Sequence, residues 1–246
     1  MENKKGSGVF LGVVSVATLI VAIIGATFAF FSTQTGSAND AINTAAYEFA
    51  TTVKSVVRIY PEDNGAIDKG IIPLNPTAKV GETEKTLLAR ALENDTKCVD
   101  EKGYMVCALY KVTLENSSTE AADMNLTVKT VTNTAGAGGE AFKDLTFQAL
   151  SGDETAFTLN GQAATLLGTP DQSVTIKADE SNDLTITAEA ATDTSTPKET
   201  VHYFVIYLNE ATAETNQSTQ MGAKFTGQLE YTTTTGGNTL TGTFTA

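Results

Sequence analysis

The 246-residue chain has no tryptophan, a single histidine and only two cysteines, and its 16 Lys+Arg are outnumbered by 29 Asp+Glu. Each shortage removes a class of function. Imidazole is the usual proton shuttle near neutral pH and the commonest transition-metal ligand, so His202 alone supplies no ligand set for zinc hydrolysis of the familiar kind. No HExxH, GxSxG, P-loop or GxGxxG arrangement occurs either. The net charge of −13 repels phosphate backbones and anionic headgroups, which excludes nucleic acid as a partner and disfavours peripheral docking on membranes. Adjacent carboxylates such as Glu62-Asp63 and Asp179-Glu180 fall in turn-like segments, where a solvated loop is the default. A carbohydrate-cleaving carboxylate pair also lacks tryptophan platforms. The expectation is a protein that is not an enzyme and needs no cofactor or metal, with a secreted hydrolase as the remote alternative.

What the chain does have begins at its N-terminus. Lys4 and Lys5 precede a stretch from Gly6 to Asn39 with no charged residue, whose apolar core runs through Val9–Leu11, Val13–Val14, Thr18–Ile24 and Phe28–Phe31. A basic start, an apolar middle and the small-residue finish Thr27-Phe28-Ala29 read as a secretory signal over residues 1–29, with signal peptidase cutting between Ala29 and Phe30. The run is also long enough to span a bilayer, so a retained anchor over residues 8–31 is the alternative. In both cases Lys4 and Lys5 stay cytoplasmic and the chain after about Ser32 is outside.

The exported part is rich in Thr, Ser, Ala, Gly, Asn and Asp, the palette of short strands and tight turns. Period-two patterning predicts strands at Thr51–Tyr60, Val106–Glu115, Met124–Thr130, Leu145–Leu150, Ser173–Lys177 and Leu184–Ala188, and a closing hairpin of Phe225–Thr233 with Leu240–Phe244 through Gly236-Gly237. Met124, Leu126 and Val128 are expected inward. In Val201–Leu208 both alternating sets are apolar, which places that strand in the middle of the structure; His202, inside it, reads as structural. Only Glu82–Glu93 has helical spacing, with Leu88 and Leu92 on one side, Arg90 opposite and Thr83 as N-cap. The predicted fold is mainly β: an antiparallel β-sandwich over residues 51–246 with one short helix, preceded by a small, polar segment at 30–50 and the N-terminal apolar export helix.

Cys98 and Cys107 flank Lys102-Gly103. If these two form a hairpin turn, Cys98 faces Cys107 at a non-hydrogen-bonded pair, close enough for a disulfide. Such a clip agrees with export to an oxidising space, and two thiolates without further Cys or His partners make a poor metal site. The N-x-S/T sequons at Asn94, Asn116, Asn125 and Asn216 read as ordinary loop residues.

The segment Gly25-Ala26-Thr27-Phe28-Ala29-Phe30-Phe31-Ser32 resembles the end of the export signal in the camelysin/TasA family, whose members leave Firmicutes through the signal peptidase SipW. The block Val201–Leu229, a hydrophobic strand, an Asn/Gln-rich loop and then Phe225-Thr226-Gly227, is similar to the late strands of that family. The resemblance implies a jelly-roll sandwich, secreted to the cell surface or biofilm matrix of a Gram-positive-type bacterium, that polymerises into extracellular fibres by donating an N-terminal strand to the next subunit. Phe30–Ala50 is then the donor, with Phe30, Phe31, Ile42, Tyr47 and Phe49 as its anchoring side chains, and the partners are further copies plus signal peptidase during export. The metalloprotease activity associated with camelysin is not carried over, because the ligands are missing. A membrane-anchored or pilin-like surface binding protein is the rival.

Overall fold

The computed structural model describes residues 50–62, 71–81, 85–93, 95–210 and 217–246. The export segment 1–29, the donor side chains Phe30, Phe31, Ile42, Tyr47 and Phe49, the cap residue Thr83 and the sequon residues Asn94 and Asn216 lie outside them. Among the described residues eleven strands occur in chain order: β1 (Thr51–Tyr60), β2 (Pro73–Leu74), β3 (Ala108–Asn116), β4 (Ala122–Thr134), β5 (Leu145–Asp153), β6 (Ala156–Thr165), β7 (Ser173–Thr175), β8 (Thr185–Ala188), β9 (Lys198–Asn209), β10 (Lys224–Thr233) and β11 (Thr239–Thr245). They form two sheets. The larger has the order β1-β3-β9-β5-β6, with β2 adding in parallel at the end of β9, and the smaller has β11-β10-β4-β7, with β8 pairing β4 beyond β7. Every other named pairing is antiparallel, so the fold is the expected sandwich.

Nine of these strands lie where alternation predicts them, with ends shifted by a few residues, and β2 and β6 were not foreseen. The one α-helix among the described residues, α1 (Leu87–Ala91), is shorter than the predicted span, because Thr86 supplies the cap: its side chain accepts a hydrogen bond from the Ala89 N–H at 3.2 Å. At the other end Thr96 Oγ1 donates to the Arg90 carbonyl at 2.6 Å, closing the last turn. Leu88 and Leu92 are buried as their spacing predicts.

The core between the sheets is built by period-two alternation. Met124, Leu126 and Val128 of β4 face Phe204, Ile206 and Leu208 of β9, joined by Phe225, Leu229 and Tyr231 of β10. Aromatic rings concentrate around Phe204, which stacks on Tyr110 and Phe147 with centroids 4.8 Å away in each case and meets Phe244 edge-on at 5.2 Å. Gly227 is required beneath them, since a Cβ there would come within 2.3 Å of the Phe244 ring.

Strand β9 confirms its two-sided apolar pattern. It has β3 on one side and β5 on the other, and its second apolar set, Tyr203, Val205 and Tyr207, faces a separate cluster on the outer side of the larger sheet. That cluster is roofed by the chain between β1 and β3: Leu74 of β2, Leu88, Ala91 and Leu92 at α1, and Cys98, Val106 and Cys107 beyond it. The larger sheet is therefore buried on both faces over much of its area.

Candidate functional site

The cysteines form the expected disulfide, with Cα atoms 4.9 Å apart and both residues fully buried. The register that brings them together differs from the two-residue turn inferred from the sequence. Val99 pairs with Met105, Asp100 N–H donates to the Tyr104 carbonyl at 2.9 Å and Val106 N–H to the Cys98 carbonyl at 2.9 Å, so Cys98 lies opposite Val106 and not opposite Cys107. The loop has three residues, Glu101, Lys102 and Gly103, because Gly103 takes φ +80 and Asp100 Oδ1 accepts from both Lys102 N–H and Tyr104 N–H. Positive φ values at Lys97 and Cys98 turn the chain just before the bridge. The disulfide staples the roof of the outer cluster rather than clipping a regular ribbon.

Among the described residues, the larger sheet ends on β1 at one side and β6 at the other, each paired with one neighbour only. The chain runs directly into β1 from the N-terminal segment, and the Ala50 carbonyl accepts from Ser117 N–H at 2.6 Å just before the strand starts. Both edges carry bulges, between Val53 and Ser55 and between Arg58 and Tyr60 in β1, and opposite Phe147 and Ala149 in β6. At the β6 bulge the buried Gln148 side chain donates to the Asn160 and Gly161 carbonyls at 2.9 Å each, and Gln162 N–H donates to the Lys177 carbonyl at 2.8 Å. The far half of β6 is thus occupied. Its near arm, Ala156–Asn160, is the more open part and carries Leu159 at 49% exposure.

Several titratable groups have structural partners. His202 Nε2 and the Tyr231 hydroxyl share a hydrogen bond of 2.7 Å that joins β9 to β10 across the sandwich. Burial lowers the His202 pKa to about 4 and raises that of Tyr231. Lys54 of β1 reaches Glu199 of β9 and Glu115 of β3, and its hydrogen bonds to them raise its pKa. Lys111 is held above its usual range by Glu154 at 2.9 Å. Asp179 is a turn residue: the Asn182 side chain and the Ser181 and Asn182 N–H groups donate to it and hold its carboxyl low. Among the described residues no group of three or more His, Cys, Asp or Glu is placed to hold a metal ion, and no helix is long and apolar enough to cross a membrane.

No family model matches the chain, and no curated protein does. Among solved structures it is similar to a family 123 glycoside hydrolase from Clostridium perfringens, with 13% identity and a TM-score of 0.24, over 56% of this chain and 20% of that one. A likeness of that size carries no argument, and the chain spans about a fifth of that enzyme's length.

Two sequon residues are corrected. Asn116 is no loop residue: it ends β3 fully buried, donating to the Glu120 carbonyl at 2.9 Å and the Glu189 carbonyl at 3.1 Å while accepting from Ser118 N–H at 2.9 Å. Asn125 lies within β4. Sequence reading also missed Asn133, which ties Phe142 to Gly168, and Gln217 and Gln220, which both donate to Asp144. Polar ties of this kind carry no sequence signal, since their partners, the Phe142 and Gly168 carbonyls and the Asp144 carboxylate, lie nine or more residues away along the chain.

Proposed function

We propose that this protein is an exported structural subunit of the camelysin/TasA kind, which assembles with further copies by strand donation and works through its surfaces. The observation that carries the reading is the larger sheet. It starts on an edge strand continuous with the N-terminal segment and finishes on the exposed arm of β6, so an extended segment from one copy can add to the sheet of another through main-chain hydrogen bonds. A fully buried disulfide supports passage through an oxidising space.

The test is electron microscopy of the exported protein with and without residues 30–50. Fibres from the full mature chain and none from the deletion are expected, whereas fibres that persist unchanged would overturn strand donation. N-terminal sequencing of the same sample is expected to begin at or near Phe30. An intact Met1 would favour the anchored surface protein instead.

A further inference from the structure

The outer face of the smaller sheet is built mostly from one residue type. Across β11, β10, β4, β7 and β8 the strands present nineteen outward positions in register; twelve are threonine and none is apolar, the one apolar side chain nearby being Val131 at the β4 bulge. One row reads Thr241, Glu230, Thr127, Thr175 straight across four strands. Its charged residues are Lys129, Lys224, Glu230 and Asp123, two of each sign, so this face has no net charge in a chain of −13. Copies of an acidic protein repel one another, and the approach costs least where the charge is smallest.

We infer that this threonine face is a self-complementary contact, packing against the same face of a second copy so that strand-donated fibres associate side by side. The proposal rests on the fibre reading for its setting and on separate residues for its contacts. Threonine is β-branched and stiff at χ1, so an ordered row loses little freedom on docking, and each hydroxyl rotates to donate to or accept from its mate. The charges fit as well. Gln228 pairs with Lys129 and Glu230 with Thr127, which makes Lys129 and Glu230 diagonal neighbours in the middle of the face. A two-fold axis passing between them sets Lys129 of each copy over Glu230 of the other, the arrangement an isologous interface demands. Lys129 is kept at the face by Asp171, 3.1 Å away.

At about 4.8 Å between strands and about 3.3 Å per residue, the face measures roughly 20 by 23 Å, on the order of 450 Å². That is short of the ~800 Å² per partner of a standard stable interface. One pair of copies therefore binds weakly, and repetition along a fibre makes the contact effective.

The experiment compares the full chain with Thr127→Lys/Thr241→Lys and with Thr127→Glu/Thr241→Glu, using light scattering over a concentration series and electron microscopy. A face that meets itself is disrupted by either sign of charge, so both variants are expected to weaken association at least tenfold and to convert paired fibres into single ones of unchanged length. A partner of fixed charge would instead be strengthened by one sign and weakened by the other, and that result overturns the proposal. So does unchanged pairing in both variants, or wild-type protein that never associates laterally at any concentration. Fibre length reports strand donation and fibre pairing reports this face, so the two readings fail separately. If no fibres form, the concentration-dependent dimer still tests the face, and thermal melting confirms that each variant is folded.

Discussion

The two sheets of this sandwich solve the same problem in different ways. The smaller sheet buries Leu126, Val128 and Leu229 on one side and shows threonine to solvent on the other, which is the ordinary economy of an antiparallel sheet. The larger sheet is apolar on both sides at β9 and needs a roof, which it takes from the chain between β1 and β3 and fastens with the disulfide. A face that needs a roof contributes to stability, and a face that is left polar remains available for contact.

On that contrast the heaviest damage comes at the shared core under the larger sheet. Phe204→Ala removes the ring that Tyr110, Phe147 and Phe244 pack around, and the expected loss is about 3–5 kcal/mol in urea unfolding. A loss under about 1 kcal/mol would mean that this aromatic group is not the centre of the fold.

The roof is tested next. Replacing Cys98 and Cys107 together by serine is expected to cost about 2–3 kcal/mol, from the chain entropy of the short loop they close, and adding reductant to the wild type should give a similar fall in melting temperature. Within the roofed face, Val205→Thr places a hydroxyl against the apolar cluster, and a loss of about 1–3 kcal/mol is expected.

How much of this was legible follows from the same contrast. Strand β9 was readable because six consecutive apolar residues leave no polar face, and β10 and β4 because strict alternation survives in them. Strand β6 was not: AFTLNGQAAT has small and polar residues on both sides, since it is an exposed edge whose position depends on Gln148 and a bulge. The disulfide was reachable from spacing even though its register was not, because shifting a hairpin by one residue still leaves Cys98 and Cys107 within bridging range. Which edges stay open depends on how strands cross between sheets, and local patterning carries none of that.

The bond that links the sheets gives a pH test. His202 is expected to have a pKa near 6.5 when unfolded and about 4 when folded, so the unfolded chain binds the extra proton between those values. Stability from this group is therefore complete above about pH 6.5 and is lost as the pH falls toward 4. His202 as a whole residue keeps some solvent exposure, which screens the effect, so about 1–2 kcal/mol is a realistic size. His202→Gln should flatten the melting temperature between pH 4 and 6.5 relative to wild type, and an identical slope in both proteins would assign the acid sensitivity to carboxylates instead.

The smallest effect is expected on the face that has no roof. Thr127→Val keeps the branched shape and the strand preference while removing a hydroxyl that faces solvent, so its stability at low protein concentration should stay within about 0.5 kcal/mol of wild type. The same exchange run in the opposite direction at Val205 costs several times more, because there the hydroxyl has no water to meet. Measuring both by urea unfolding on one dilute preparation decides whether the two sheets differ as described. Equal effects would mean that the outer cluster of the larger sheet is as open to solvent as the threonine face, and that the roof contributes little.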